Sequence, residues 1–66
     1  MSELEILIEP YALAQASYTR ALVFHGLGLN AGKIDGTGRL LRDYENERDR
    51  AKEKLYDYIN AKGKEN

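Results

Sequence analysis

The chain has 66 residues, of which 10 are Lys or Arg and 11 are Asp or Glu, and it contains no cysteine. The charge balance excludes the basic field that attracts nucleic acid, and the lack of Cys excludes disulfides and thiolate zinc sites. No apolar run reaches the ~18 residues of a membrane span, and residues 1–8 lack the basic start of a signal peptide. We therefore expect a cytoplasmic protein without a membrane segment.

The first predicted element is a helix over about residues 3–25. Apolar residues recur there at alternating spacings of three and four, the pattern of one helix face. Ser2 and Glu5 have the spacing of a capping box, which predicts a start near Glu3. The stripe consists of Leu4, Leu7, Tyr11, Ala14, Tyr18, Ala21 and His25.

Pro10 interrupts this helix pattern and leaves two interpretations. A proline inside a helix removes one hydrogen bond and clashes with the carbonyl four residues before it, so the helix is either kinked near Pro10 or begins there. In the second case, residues 3–8 form a short extended arm. We favour the kinked helix because the apolar pattern continues in phase through the proline.

A glycine-rich loop is predicted over residues 26–37, since five of the six glycines lie within residues 26–38. Gly26 follows His25 and has the place of a left-handed helix cap. Long loops of this kind are often functional. The alternative is a surface loop whose aliphatic side chains fold over the open end of a helical bundle. These side chains are Leu27, Leu29 and Ile34.

The second predicted helix covers about residues 38–61, with Asp35 or Thr37 as its cap. Gly63 is expected to end the helix, and residues 62–66 are expected to form a frayed tail. The stripe of this second helix consists of Leu41, Tyr44, Arg48, Ala51, Leu55 and Tyr58.

Together these elements predict an all-α fold, a single antiparallel helical hairpin over residues 1–66. If the turn centres near residue 31, facing residues have numbers that add to about 62. A lone hairpin buries too little apolar area to offset its chain entropy, so we expect a homo-oligomer such as a four-helix bundle. The predicted interface comprises Leu4, Leu7, Ile8, Tyr11, Leu13, Tyr18, Leu22, Phe24, Tyr44 and Tyr58.

Residues 28–33 resemble a phosphate-binding loop only superficially. The glycine spacing differs, Ile34 replaces the metal-binding hydroxyl, and a helix instead of a strand precedes the segment. A weaker anion site remains as a hypothesis, because glycine amides and bases at a helix start attract phosphate. The alternative is a capped loop with solvated bases. The candidate ligand-binding residues are Lys33, Arg39, Arg42, Gly32 and His25.

Metal sites and catalysis have little support in the sequence. Residues 32–35 match the middle of a calcium-binding loop, but Leu27, Leu29 and Ala31 stand where acidic ligands are needed. His25 is the sole histidine, so one chain cannot form a histidine metal cluster or a histidine-containing catalytic triad. We expect no metal, no cofactor and no enzymatic activity.

Two side chains stand out from the helix patterns. Tyr56 lies off the stripe, and we expect it to be exposed. Arg48 lies within the stripe, where it either extends its charge to solvent, fixes the helix register, or meets an acid or a ligand in the bundle.

These features predict a small binding protein that acts as a regulator or inhibitor of a larger protein partner. The alternative is a protein that sequesters a phosphate-bearing small ligand, enclosed by the glycine-rich loops of neighbouring protomers.

Overall fold

The computed structural model describes residues 2–64 and confirms the all-α prediction. Helix α1 covers Glu3–Gly26, a short helix α2 covers Ala31–Ile34, and helix α3 covers Leu41–Lys64. The two long helices pack against each other in a rod of 48 × 20 × 16 Å. Among the described residues, no helix is long and apolar enough to cross a membrane.

Helix α1 begins at the predicted capping residue and continues through the proline. The Ser2 side chain accepts a hydrogen bond from the Glu5 amide at 3.2 Å. Pro10 lies inside the helix, so residues 3–8 are helical and do not form the extended arm. The capping hydrogen bond and the apolar pattern together outweigh the single hydrogen bond that proline removes.

Helix α1 ends one residue later than predicted, and the left-handed glycine lies two residues later. Gly26 is still helical, whereas Gly28 has the left-handed conformation with a φ of 77°. The amides of Gly28 and Leu29 donate to the carbonyls of His25 and Phe24 at 3.0 and 2.8 Å. This is the Schellman arrangement, in which the left-handed residue follows the cap. The prediction of Gly26 as the left-handed cap was wrong.

Helix α3 begins at Leu41, three residues after the predicted start. Gly36 and Gly38 have φ values of 76° and 71°, which a right-handed helix cannot contain. The Asp43 carboxylate accepts a hydrogen bond from the Leu40 amide at 2.9 Å, and this contact caps the helix start.

The far end of α3 is longer than predicted. Residues 62–64 belong to the helix, and Gly63 lies inside it instead of ending it. Residues 65 and 66 of the predicted tail lie outside the described residues. A glycine cap acts only where the chain turns away from the helix, and nothing in the sequence after Gly63 forces that turn.

The predicted helix register agrees with the cross-helix hydrogen bonds. The Tyr18 hydroxyl donates to Glu45 at 3.3 Å, and Arg48 donates to Gln15 at 3.2 Å. Both pairs join residues whose numbers add to 63. Within residues 2–64, the buried apolar side chains are Ala14, Ala21, Ala31, Tyr44 and Leu55.

The aliphatic residues after α1 are exposed. The fractional exposures of Leu27, Leu29 and Ile34 are 69, 49 and 53 %. The packing of these side chains over the end of an oligomeric bundle stays a prediction. In a single chain, Ala31 of α2 packs against Ala21 and Tyr44.

Candidate functional site

The segment between α1 and α3 is partly helical, and its amides are already bonded. The Asn30 side chain caps α2 and accepts from the amides of Gly32 and Lys33 at 2.9 and 3.3 Å. The hypothesis of an anion site needs free amides at this point. The amides of Gly32 and Lys33 are not free, because both donate to the Asn30 side chain.

Gly32 is buried, and its backbone contacts the start of the third helix. Its carbonyl accepts from the Gly38 amide at 2.8 Å, and a Cβ at Gly32 would overlap the backbone of Arg39. A glycine is required here by the close approach of two backbone segments. Gly32 therefore has a packing role, which the sequence analysis missed.

Asp35 joins three parts of the chain. Its carboxylate accepts from the Thr37 amide at 3.0 Å, the Thr37 hydroxyl at 2.7 Å, the Tyr44 hydroxyl, and Arg20 at 3.5 Å. The hydrogen bonds from Tyr44 and Thr37 lower the pKa of Asp35 from 3.8 to about 2. Asp35 and Thr37 thus organise the segment and tie it to both long helices, and they do not cap α3 as predicted.

The three predicted basic ligands lie in different environments. Arg39 is half-buried, pairs with Glu47, and stacks over the Tyr44 ring at 4.7 Å from its centroid. The Glu47 carboxylate raises the pKa of Arg39 further above its ordinary value. Lys33 and Arg42 are exposed on α2 and α3. The positive charge of Arg39 is thus already paired with the Glu47 carboxylate.

A cleft lies at the end of the helix pair where the connecting segment crosses it, and we call it the loop-end cleft. Its volume is about 240 Å³. Leu29 and Leu40 are 49 and 53 % exposed at its edge, and His25 is exposed beside them. The lining residues are Ala21, His25, Leu29, Asn30, Ala31, Leu40 and Leu41.

The predicted interface residues divide by exposure. Tyr44 is 5 % exposed in a single chain, where it packs with Ala21 and Ala31 in the core, and its place in an interface stays a prediction. Tyr56 is 50 % exposed, as expected. The half-buried residues are Leu7, Tyr11, Tyr18, Phe24 and Tyr58. The exposed residues are Leu4, Ile8, Leu13 and Leu22.

Arg48 has partners on both long helices. Its guanidinium stacks over the Tyr18 ring at 4.7 Å, donates to Gln15, and contacts Asp49 at 2.7 Å. The Asp49 carboxylate raises the pKa of Arg48. Asp49 is the next residue on the same helix, and its side chain is 52 % exposed, so it is not an acid within the bundle. The three interpretations of Arg48 stay predictions.

Within residues 2–64, the structure has no group of three or more His, Cys, Asp or Glu side chains able to hold a metal ion. No family model, curated protein or solved structure matches this chain.

Proposed function

We propose that this chain is a non-enzymatic binding protein that regulates or inhibits a larger protein by docking its loop end onto it. The observation that carries the proposal is the exposure of Leu29 and Leu40 around the loop-end cleft. Exposed apolar residues grouped at one site are typical of protein-binding surfaces.

Hydrogen bonds and close packing connect the loop end to both long helices. Asn30 caps α2, Asp35 ties the segment to Arg20 and Tyr44, and Gly32 packs on the Arg39 backbone. A surface that is already ordered loses little conformational entropy on binding. This order favours a docking role, because the exposed leucines keep their positions.

The cleft has the size of a single side chain. Its volume of about 240 Å³ is below the roughly 300–1,000 Å³ of pockets that enclose drug-sized ligands. Its walls are apolar at Ala21, Leu29 and Leu41, with polar groups from His25 and Asn30. An apolar anchor residue of a protein partner fits this chemistry, with its backbone near the polar groups.

Sequestration of a phosphate-bearing ligand has less support. The Gly32 and Lys33 amides are bonded to Asn30, and Arg39 is paired with Glu47. A phosphate at this point would have to displace these contacts.

Site-specific photocrosslinking in cells that make the protein tests the docking proposal. A photoreactive residue replaces Ile34, which is 53 % exposed at the loop end, and a matched control replaces exposed Asn60 near the opposite end. We expect a discrete protein adduct from position 34 that disappears when Leu29→Asp is added. Equal adducts from both positions, or an adduct that persists with Leu29→Asp, would contradict the proposal.

A further inference from the structure

A second apolar surface runs along α1, away from the loop-end cleft. Ile6, Leu13 and Leu27 are 53, 64 and 69 % exposed. Ile6 and Leu13 are seven residues apart, roughly two helical turns, so they lie on one side of α1, about 100° from the buried Ala14. The next position of this spacing is Arg20, and the one after it is Leu27, the residue that follows the last residue of α1. We call these three residues the outer stripe.

Helix α1 has apolar residues on more than one side, whereas α3 carries most of the charged residues of the chain. The formal charges within α1 are at Glu3, Glu5, Glu9 and Arg20. A helix that is apolar all round is usually buried on more than one side. Helix α3 covers one side of α1 and leaves the outer stripe uncovered.

The chain exposes more surface than a compact chain of its mass. It exposes 5045 Å², whereas a compact monomer of 7.5 kDa would expose about 4,200 Å². The difference follows from the elongated shape of the helix pair, 48 × 20 × 16 Å. Its size, about 800 Å², is comparable with the area that each partner buries in a standard protein interface.

We propose that a second copy of this chain covers the outer stripe, with the two α1 helices antiparallel about a two-fold axis. The charges favour this direction, because the acids lie in the first half of α1 and Arg20 lies in the second. In the register given below, Arg20 of one copy lies opposite Leu13 of the other, one helical turn from Glu9, whereas parallel pairing would place acids against acids.

The register follows from the stripe and from a groove beside it. Pairing Ile6 with Leu27 of the second copy puts Ala16 and Ser17, two small residues, beside the axis. A groove of about 410 Å³ lies next to Ile6, between Pro10 and Ala14 on α1 and Lys54 on α3. Leu27 of the second copy enters this groove, and the symmetry repeats the contact. This interface is separate from the loop-end cleft and does not depend on the proposed function.

Sedimentation equilibrium of the full chain at micromolar concentration tests the dimer. We expect the unmodified protein to dimerise, and we expect Leu13→Lys to weaken dimerisation by an order of magnitude or more, because the register places position 13 opposite Arg20 of the second copy. The matched control is Ile59→Lys, which changes a side chain of 48 % exposure on the flank of α3 away from Lys54; it leaves the dimer intact. A monomeric unmodified protein, or dissociation by Ile59→Lys but not by Leu13→Lys, would overturn the proposal.

Disulfide trapping tests whether the two α1 helices run antiparallel, and it does not require a substitution that breaks the interface. The chain lacks Cys, so each introduced thiol is unique. We expect Ser17→Cys to form a covalent dimer, because a disulfide requires Cα atoms within about 7 Å. Ile6→Cys crosslinks with Leu27→Cys in a mixture but not with itself. Self-crosslinking of Ile6→Cys without the mixed product would show a parallel pair and overturn the proposal.

Discussion

Gly32 shows how one residue controls the approach of two chain segments. The backbone of Arg39 occupies the place of a Cβ at Gly32. We expect Gly32→Ala to lower the free energy of unfolding by at least about 2 kcal/mol, because a backbone segment must move. Thermal melts followed by circular dichroism measure the effect.

The control for Gly32 is Gly26, a helical glycine with open space around its Cα. We expect Gly26→Ala to raise stability by about 0.5–1 kcal/mol, because alanine loses less conformational freedom in a helix. Equal effects of the two substitutions would contradict the packing role of Gly32.

Asp35 is expected to make stability depend on acidic pH. Its pKa is lowered from 3.8 to about 2 in the folded chain, so the unfolded chain binds the proton more tightly. The stabilisation from ionised Asp35 is fully present above pH 3.8 and is lost as the pH falls towards 2.

Urea titrations at several pH values measure this dependence. We expect Asp35→Asn to unfold at lower urea than the unmodified chain at neutral pH, and the difference to shrink below pH 3.8. A difference that is constant with pH would show that the charge of Asp35 contributes nothing.

Within helix α1, Pro10 removes one backbone hydrogen bond. Its amide position would otherwise donate to the Ile6 carbonyl, four residues before it. We expect Pro10→Ala to raise the free energy of unfolding by up to about 3 kcal/mol, measured by thermal melts. A fall in stability would mean that packing of the proline ring in the groove beside Ala14 outweighs the missing hydrogen bond.

The contact between α1 and α3 depends on Arg48 at its centre. Arg48→Leu removes the stacking on Tyr18 and the hydrogen bond to Gln15. We therefore expect the melting temperature to fall by a few degrees. A rise would mean that Arg48 only sets the helix register at a cost in stability, as polar residues in a helical seam often do.

For the whole molecule, nucleotide binding separates the two functional hypotheses. A bound ligand would raise stability by about 2.7 kcal/mol at a hundredfold excess over its Kd. We expect no selective thermal shift with a nucleotide panel at millimolar concentration, because Asn30 and Glu47 already bond the candidate groups. A selective shift that Lys33→Ala or Arg39→Ala abolishes would favour the sequestration hypothesis.

The sequence by itself determined the two long helices, the capping of α1 by Ser2, and the helix register to within one residue, since a sum of 62 places Tyr18 opposite Tyr44 and the structure bonds Tyr18 to Glu45. These features depend on local hydrogen bonds and on apolar periodicity, and both can be identified from neighbouring residues. The exposure of Tyr56 follows from the same periodicity.

The tertiary structure alone decided which residues of the loop end are buried, which are bonded to the long helices and which are exposed. The burial of Gly32 depends on Arg39, and the role of Asp35 depends on Tyr44 in another helix. Leu29 is exposed because Ala31 fills the space under the segment. Each of these outcomes is set by residues that meet only after the chain folds back on itself, which is why the local pattern of glycines and aliphatics did not predict them.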